Sequence, residues 1–185
     1  MEHAAEHLEH VEHQKHAGHS PFDRKVAMSM AILAALLATV TLLGHRAHNE
    51  TLLFQTKASD QWNFYQAKNI RQHEYEAFVL LTDGLSKESR NEEGMKKAQD
   101  QWTSKLAKYK DELPKMQAEA EKLEKESHLH HDRAMRFDLG ELGLQLSLIL
   151  CSIAILVKRA PFWYAGIAAG VAGVAVALTA FLIQH

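Results

Sequence analysis

The residues best equipped for chemistry in this sequence are histidines. Thirteen occur among 185 positions, and His3, His7, His10, His13, His16 and His19 all precede residue 20. His3, His7 and His10 are spaced by four and then three, so a helix would carry their imidazoles on one face with Glu2, Glu6 and Glu9 beside them. Imidazoles one turn apart suit a divalent transition metal such as zinc, nickel or copper. His13, His16 and His19 advance by three and drift around the helix, so the six do not make a single site. The plainer reading is a solvated tail whose imidazoles gain charge as the pH falls through about 6.5, which is itself a route to pH sensing.

A second group, His128, His131 and Asp132, sets a carboxylate one turn from an imidazole, an incomplete metal set. His130 within it falls on the heptad seam described below, where a polar residue more often fixes register than holds an ion. Glu141 is the most unusual carboxylate, because it stands at the edge of an apolar run and needs water or a partner there. A salt bridge to His45 or Arg46 is the simpler reading. The alternative is a pore. If copies surround an axis, a ring of Glu141 followed inward by Gln145 and Ser147 would select cations, and Leu148 and Ile155 would form an apolar gate.

Other chemistries are not encoded. The sequence has no glycine-rich phosphate loop, no HExxH and no nucleophile elbow, so a non-enzymatic protein that requires no cofactor is expected. Cys151 is the single cysteine; one chain therefore forms neither a disulfide nor a thiolate cluster. A net charge of −2, without a basic patch interleaved with aromatics, speaks against nucleic acid as a partner.

The elements that must position these residues divide sharply by polarity. Residues 45–138 are rich in Lys, Glu, Gln and Asp, whereas residues 26–44 and nearly all that follows 139 are apolar, so the mean hydropathy of −0.26 averages two different solvents. VAMSMAILAALLATVTLLG runs nineteen residues without a charge, enough to cross a hydrocarbon core of about 30 Å. Ser20-Pro21-Phe22-Asp23 ahead of it carries an N-cap, a proline at the first helical position and an acid at the third. Two further spans are expected at residues 139–157 and 162–183, joined by the Lys158-Arg159-Ala160-Pro161 turn with Trp163 and Tyr164 as interface anchors.

Between the first and second spans, glycine is scarce outside a loop expected near residues 82–94. The returning segment carries a heptad seam: Trp102, Leu106, Tyr109, Leu113, Met116, Leu123, His130 and Phe137 alternate steps of three and four with Ala120, Ser127 and Ala134 between them. The register continues through Glu141, Leu144, Leu148, Cys151 and Ile155, so one helix should pass from the polar region into the apolar one, interrupted only by Pro114. The outgoing segment shows two apolar faces, one through Ala58, Trp62, Tyr65 and Val79, the other through Ala67, Ile70, Ala77 and Leu81. Two faces imply two neighbours: the returning helix and a second copy of the chain.

The fold expected is thus an all-α membrane protein with three transmembrane helices (21–44, 139–157 and 162–183) and a long antiparallel coiled-coil hairpin (45–138), preceded by a His/Glu-rich amphipathic tail (1–20). Small residues mark the spans: Ala165, Gly166, Ala169, Gly170, Gly173 and Ala177 in the third, Gly143, Ser147 and Cys151 in the second, and Ala27, Ala31, Ala35 and Ala38 in the first. Small side chains permit close backbone approach, which drives association in lipid. Packing within one subunit and self-association both fit them.

PFDRKVAMSMAILAALLATVTLLGHRAHNE and LLFQTKASDQWNFYQAKNIRQH, with DQWNFYQAK the most specific piece, resemble an uncharacterised bacterial membrane-protein family, domain of unknown function 4337. The resemblance spans nearly the whole chain and implies a bacterial inner-membrane protein; it brings no activity and no functional residues. Lys and Arg at 24, 25, 158 and 159 favour a cytoplasmic N-terminus and turn, with the helical hairpin periplasmic. Three functions follow as expectations: a homo-oligomeric membrane protein whose hairpin serves assembly or partner recognition, a cation pore lined from Glu141 inward, or a metal or pH sensor acting through the tail.

Overall fold

A computed structural model describes residues 21–86 and 92–183. Three α-helices occupy them: α1 (Pro21–Ser86), α2 (Glu92–Val157) and α3 (Ala160–Thr179), the last continued by a 3-10 turn at Ala180–Leu182. The described residues contain no strand. The length of α1 and α2, 66 residues each, reflects the scarcity of helix breakers. Pro21 stands first in α1, where its missing N–H costs nothing. Pro114 lies inside α2, which continues through it although a proline there leaves the Lys110 carbonyl without its usual donor.

The span and the segment that follows it are one helix on the outgoing side as well as on the return. The sequence divided α1 at residue 44 because solvent preference changes there. The backbone does not change with it, since Gly44 sits in a close contact, its missing Cβ standing 3.3 Å from Phe137 Cβ. α2 ends because Lys158 turns into the left-handed region at φ 55° and Arg159 is extended, after which Pro161 restarts a helix. By length and composition, all three helices are long and apolar enough to cross a membrane.

The chain forms two compact units, one made of the segments up to His48 and from His131 onward, the other of Asn49–His130. In the first, α1 contributes Val26, Leu33, Val40 and Ala47, a repeat of seven, to a core completed by Ala134, Phe137, Leu144 and Cys151 of α2 and by Ala177 and Ala180. Close backbone contact joins α2 to α3. A methyl group on Gly143 would lie 2.8 Å from Gly173 Cα, and one on Gly166 would lie 3.0 Å from the Ser147 carbonyl oxygen. Arg133 closes the C-terminal end of this unit by donating from Nε and Nη2 to the Ile183 carbonyl at 3.2 and 2.9 Å. A cation on terminal carbonyls offsets the negative end of the helix dipole.

In the second unit, partners on α2 descend in number as those on α1 rise, so the two segments run antiparallel. Ser127 Oγ donates to the Thr51 carbonyl, Gln61 Nε2 to that of Met116, and Lys68 Nζ to Glu112 Oε2. Tyr75 then meets Tyr109, and Phe78 meets Trp102. Ala58, Leu113 and Ala120 are the buried centres of this pairing.

Candidate functional site

Every seam position expected on α2 turns inward to some degree. Leu113, Ala120, Ala134, Phe137, Leu144 and Cys151 are buried, and Trp102, Leu106, Tyr109, Met116 and Leu123 are half-buried. On α1, Ala58 is buried and Trp62, Tyr65 and Val79 are half-buried, so this face lies against α2. The other α1 face is open. Ile70 and Leu81 are 55% and 58% exposed, and Ala67 and Ala77 on the same face are exposed too. Apolar side chains thus lie exposed on one helix face within the polar half of the sequence.

The apolar half shows the same division. The small residues of α2 and α3 meet each other: Gly166 faces Cys151, Gly170 faces Ser147, and Gly173 faces Gly140 and Gly143. Ala177 is buried with them and Ala169 is half-buried, but Ala165 is exposed, because the contact face advances by four and three rather than by four alone. Ala27, Ala31, Ala35 and Ala38 of α1 all point outward. Their helix turns its larger residues, Leu33 and Val40, inward instead.

The five residues considered for a pore do not share a surface. Ser147 is fully buried, Leu148 and Ile155 pack on the core of their own unit, and Gln145 is exposed. Glu141 accepts a hydrogen bond from Gln145 Nε2 at 3.0 Å, along its own helix. The interhelical hydrogen bond at this level involves other residues: His48 Nε2 donates to Asp138 Oδ2 at 3.0 Å. Local spacing could not reveal that pair, since its members are 90 positions apart.

The histidines divide similarly. His3, His7 and His10 lie outside the described residues. His128, His131 and Asp132 are each exposed, and among the described residues no group of three His, Cys, Asp or Glu side chains converges on a metal position. His130 is the buried one, only 12% of its side chain exposed, stacked flat on Phe54 at 5.2 Å. Its Nδ1 lies 2.8 Å from Glu50 Oε2, an ion-pair distance without hydrogen-bond geometry. His130 thus stands on the seam between α1 and α2, a position where a polar residue can set helix register.

Two carboxylates of the second unit are tuned. Glu112 titrates below its ordinary 4.5, chiefly because Lys68 donates a hydrogen bond to it, with Lys68 and Lys108 adding positive charge. Glu76 is lowered from the same value by hydrogen bonds from Gln72 and then His73. Beside them a cleft of about 260 Å³ opens at Pro114, walled by Tyr65, Asn69, Gln72, Lys110 and Gln117.

The arrangement defines a class: a long-helix protein whose three helices are each long and apolar enough, by length and composition, to cross a membrane. The chain belongs to the family described as domain of unknown function DUF4337, whose model matches residues 22–183. No curated protein and no solved structure matches it.

Proposed function

We propose that this protein is a non-enzymatic membrane scaffold of the bacterial inner membrane, in which three spans anchor a helical hairpin that pairs with a second copy of the chain. The observation that carries the reading is the open α1 face of Ala67, Ile70, Ala77 and Leu81. Its alternation of large and small residues suits a helix packing on a helix. The outward Ala27, Ala31, Ala35 and Ala38 offer a continuation within lipid, where small residues drive association. Arg24, Lys25, Lys158 and Arg159 beside the span ends support a cytoplasmic N-terminus and turn with a periplasmic hairpin, against the weaker opposing pull of Arg46, Arg133 and Arg136.

The test is the protein mass of the detergent-solubilised particle. A dimer or larger assembly is expected, falling to a monomer in Ile70→Glu with helical content unchanged. A monomeric wild-type particle overturns the reading. So does charge-selective current in reconstituted bilayers that weakens in Glu141→Gln, since a scaffold conducts nothing.

A further inference from the structure

Four cations gather at one end of the first unit. Arg24 and Lys25 lie in the opening turns of α1, and Lys158 and Arg159 form the turn between α2 and α3. Helix contacts bring the two pairs to the same end. The Phe22 ring meets that of Trp163 edge-on at 6.2 Å, and Trp163 Nε1 donates to Ser29 Oγ at 3.0 Å. Val26, one turn from Phe22, is fully buried.

All four cationic side chains are exposed, and among the described residues none has an ion-pair or hydrogen-bond partner. Among the described residues, Asp23 is the acid on the same turn, and it is not free. The opposite end of this unit is built differently. There Arg133 is spent on the Ile183 carbonyl, His48 pairs with Asp138, and Arg136 shares the surface with Asp132 and Glu141. Among the described residues, one end thus carries four exposed cations without an ion-pair partner and the other a mixture of signs.

The positive end also has the aromatic residues of a headgroup zone. Tyr164 is 64% exposed beside the half-buried Trp163, with ring centroids 4.9 Å apart. Amphipathic rings settle at the level where acyl chains meet headgroups. The turn holds its cations outward: Lys158 adopts the left-handed conformation at φ 55° and Arg159 is extended, with no side-chain cap on α3.

We infer that Arg24, Lys25, Lys158 and Arg159 form a binding surface for the phosphate-bearing headgroups of anionic phospholipids. The inference rests on the membrane reading above and deepens it by naming the lipid class. Charge complementarity selects the partner, because a zwitterionic headgroup brings its own cation and gains little from four more. Each Lys or Arg near an anionic surface strengthens association about fivefold at moderate ionic strength.

The experiment reconstitutes the full chain in phosphatidylcholine vesicles containing brominated phosphatidylglycerol, and separately brominated phosphatidylcholine, and reads quenching of Trp163. Preferential quenching by the anionic lipid is expected, lost in R24Q/K25Q/K158Q/R159Q and in high salt, and kept in the variant that exchanges each Arg for Lys and each Lys for Arg. The control Arg46→Gln with Arg136→Gln retains the preference. Equal quenching by both lipids in the wild type overturns the inference, as does equal loss in the control or full competition by millimolar inorganic phosphate. Failure of the membrane reading looks different: no quenching by either lipid, with the protein recovered outside the vesicles, removes both proposals together.

Discussion

At the residue scale, two kinds of contact are most sensitive to small change. Glu112 and Glu76 bind protons less readily in the fold than at their ordinary 4.5, so the unfolded chain holds more protons as the pH falls through that range. Their contribution is therefore complete above about pH 4.5 and is lost as the pH drops through the lowered folded values. Acid titration followed by circular dichroism should show pairing in the second unit weakening below pH 4.5, and Glu112→Gln should flatten part of that slope. Glycine contacts are the second kind. A Cβ at Gly173 would stand 2.7 Å from the Gly140 carbonyl oxygen, a backbone atom that cannot swing aside. Gly173→Ala should lower stability by about 1–3 kcal/mol in detergent unfolding, the ordinary cost of overpacking. Gly84→Ala is the contrasting case, because nothing lies within 4 Å of its missing Cβ.

At the element scale, stability follows which helix face is turned inward. Leu113→Ala removes a side chain only 6% exposed and should cost about 2–5 kcal/mol, whereas Leu52→Ala, at 60% exposed, should stay within about 0.5 kcal/mol by thermal unfolding. The sequence made the α2 seam legible because polar residues separate its apolar positions through the Lys- and Glu-rich stretch. The inward face of α1 at Val26, Leu33 and Val40 was not legible for the opposite reason. Most neighbouring positions there are apolar too, so little contrast reveals the repeat. The α3 face shows an intermediate case: the small residues marked it, but the four-residue step included Ala165, which is exposed. Side-chain contacts between distant positions, His48 with Asp138 and Glu50 with His130, leave no local pattern at all.

At the scale of the whole molecule, the two solvents implied by the sequence correspond to different surface requirements. Exposed Leu36, Leu146, Ile149 and Val171 belong to helices of membrane-crossing length, whereas exposed Phe64 and Ile70 belong to the Lys- and Glu-rich part of α1. Extraction should therefore require detergent whatever happens at Ile70, while particle mass should respond to Ile70→Glu. An Ile70→Glu protein that sediments with the membrane fraction and elutes at half the wild-type protein mass would separate the two roles. Deleting the segment ahead of Pro21 should leave the number of chains per particle unchanged, because the apolar faces lie in α1, α2 and α3.

The single thiol offers a practical gauge of these ideas. Cys151 is fully buried and faces the bare backbone of Gly166, so a maleimide can reach it only when α2 and α3 separate. Its rate of alkylation is thus a clock for opening of that helix pair, readable without adding any label. The same shielding means that a cysteine placed at Lys158 or Asp60 reacts against a silent background, and sidedness can be mapped on the native chain.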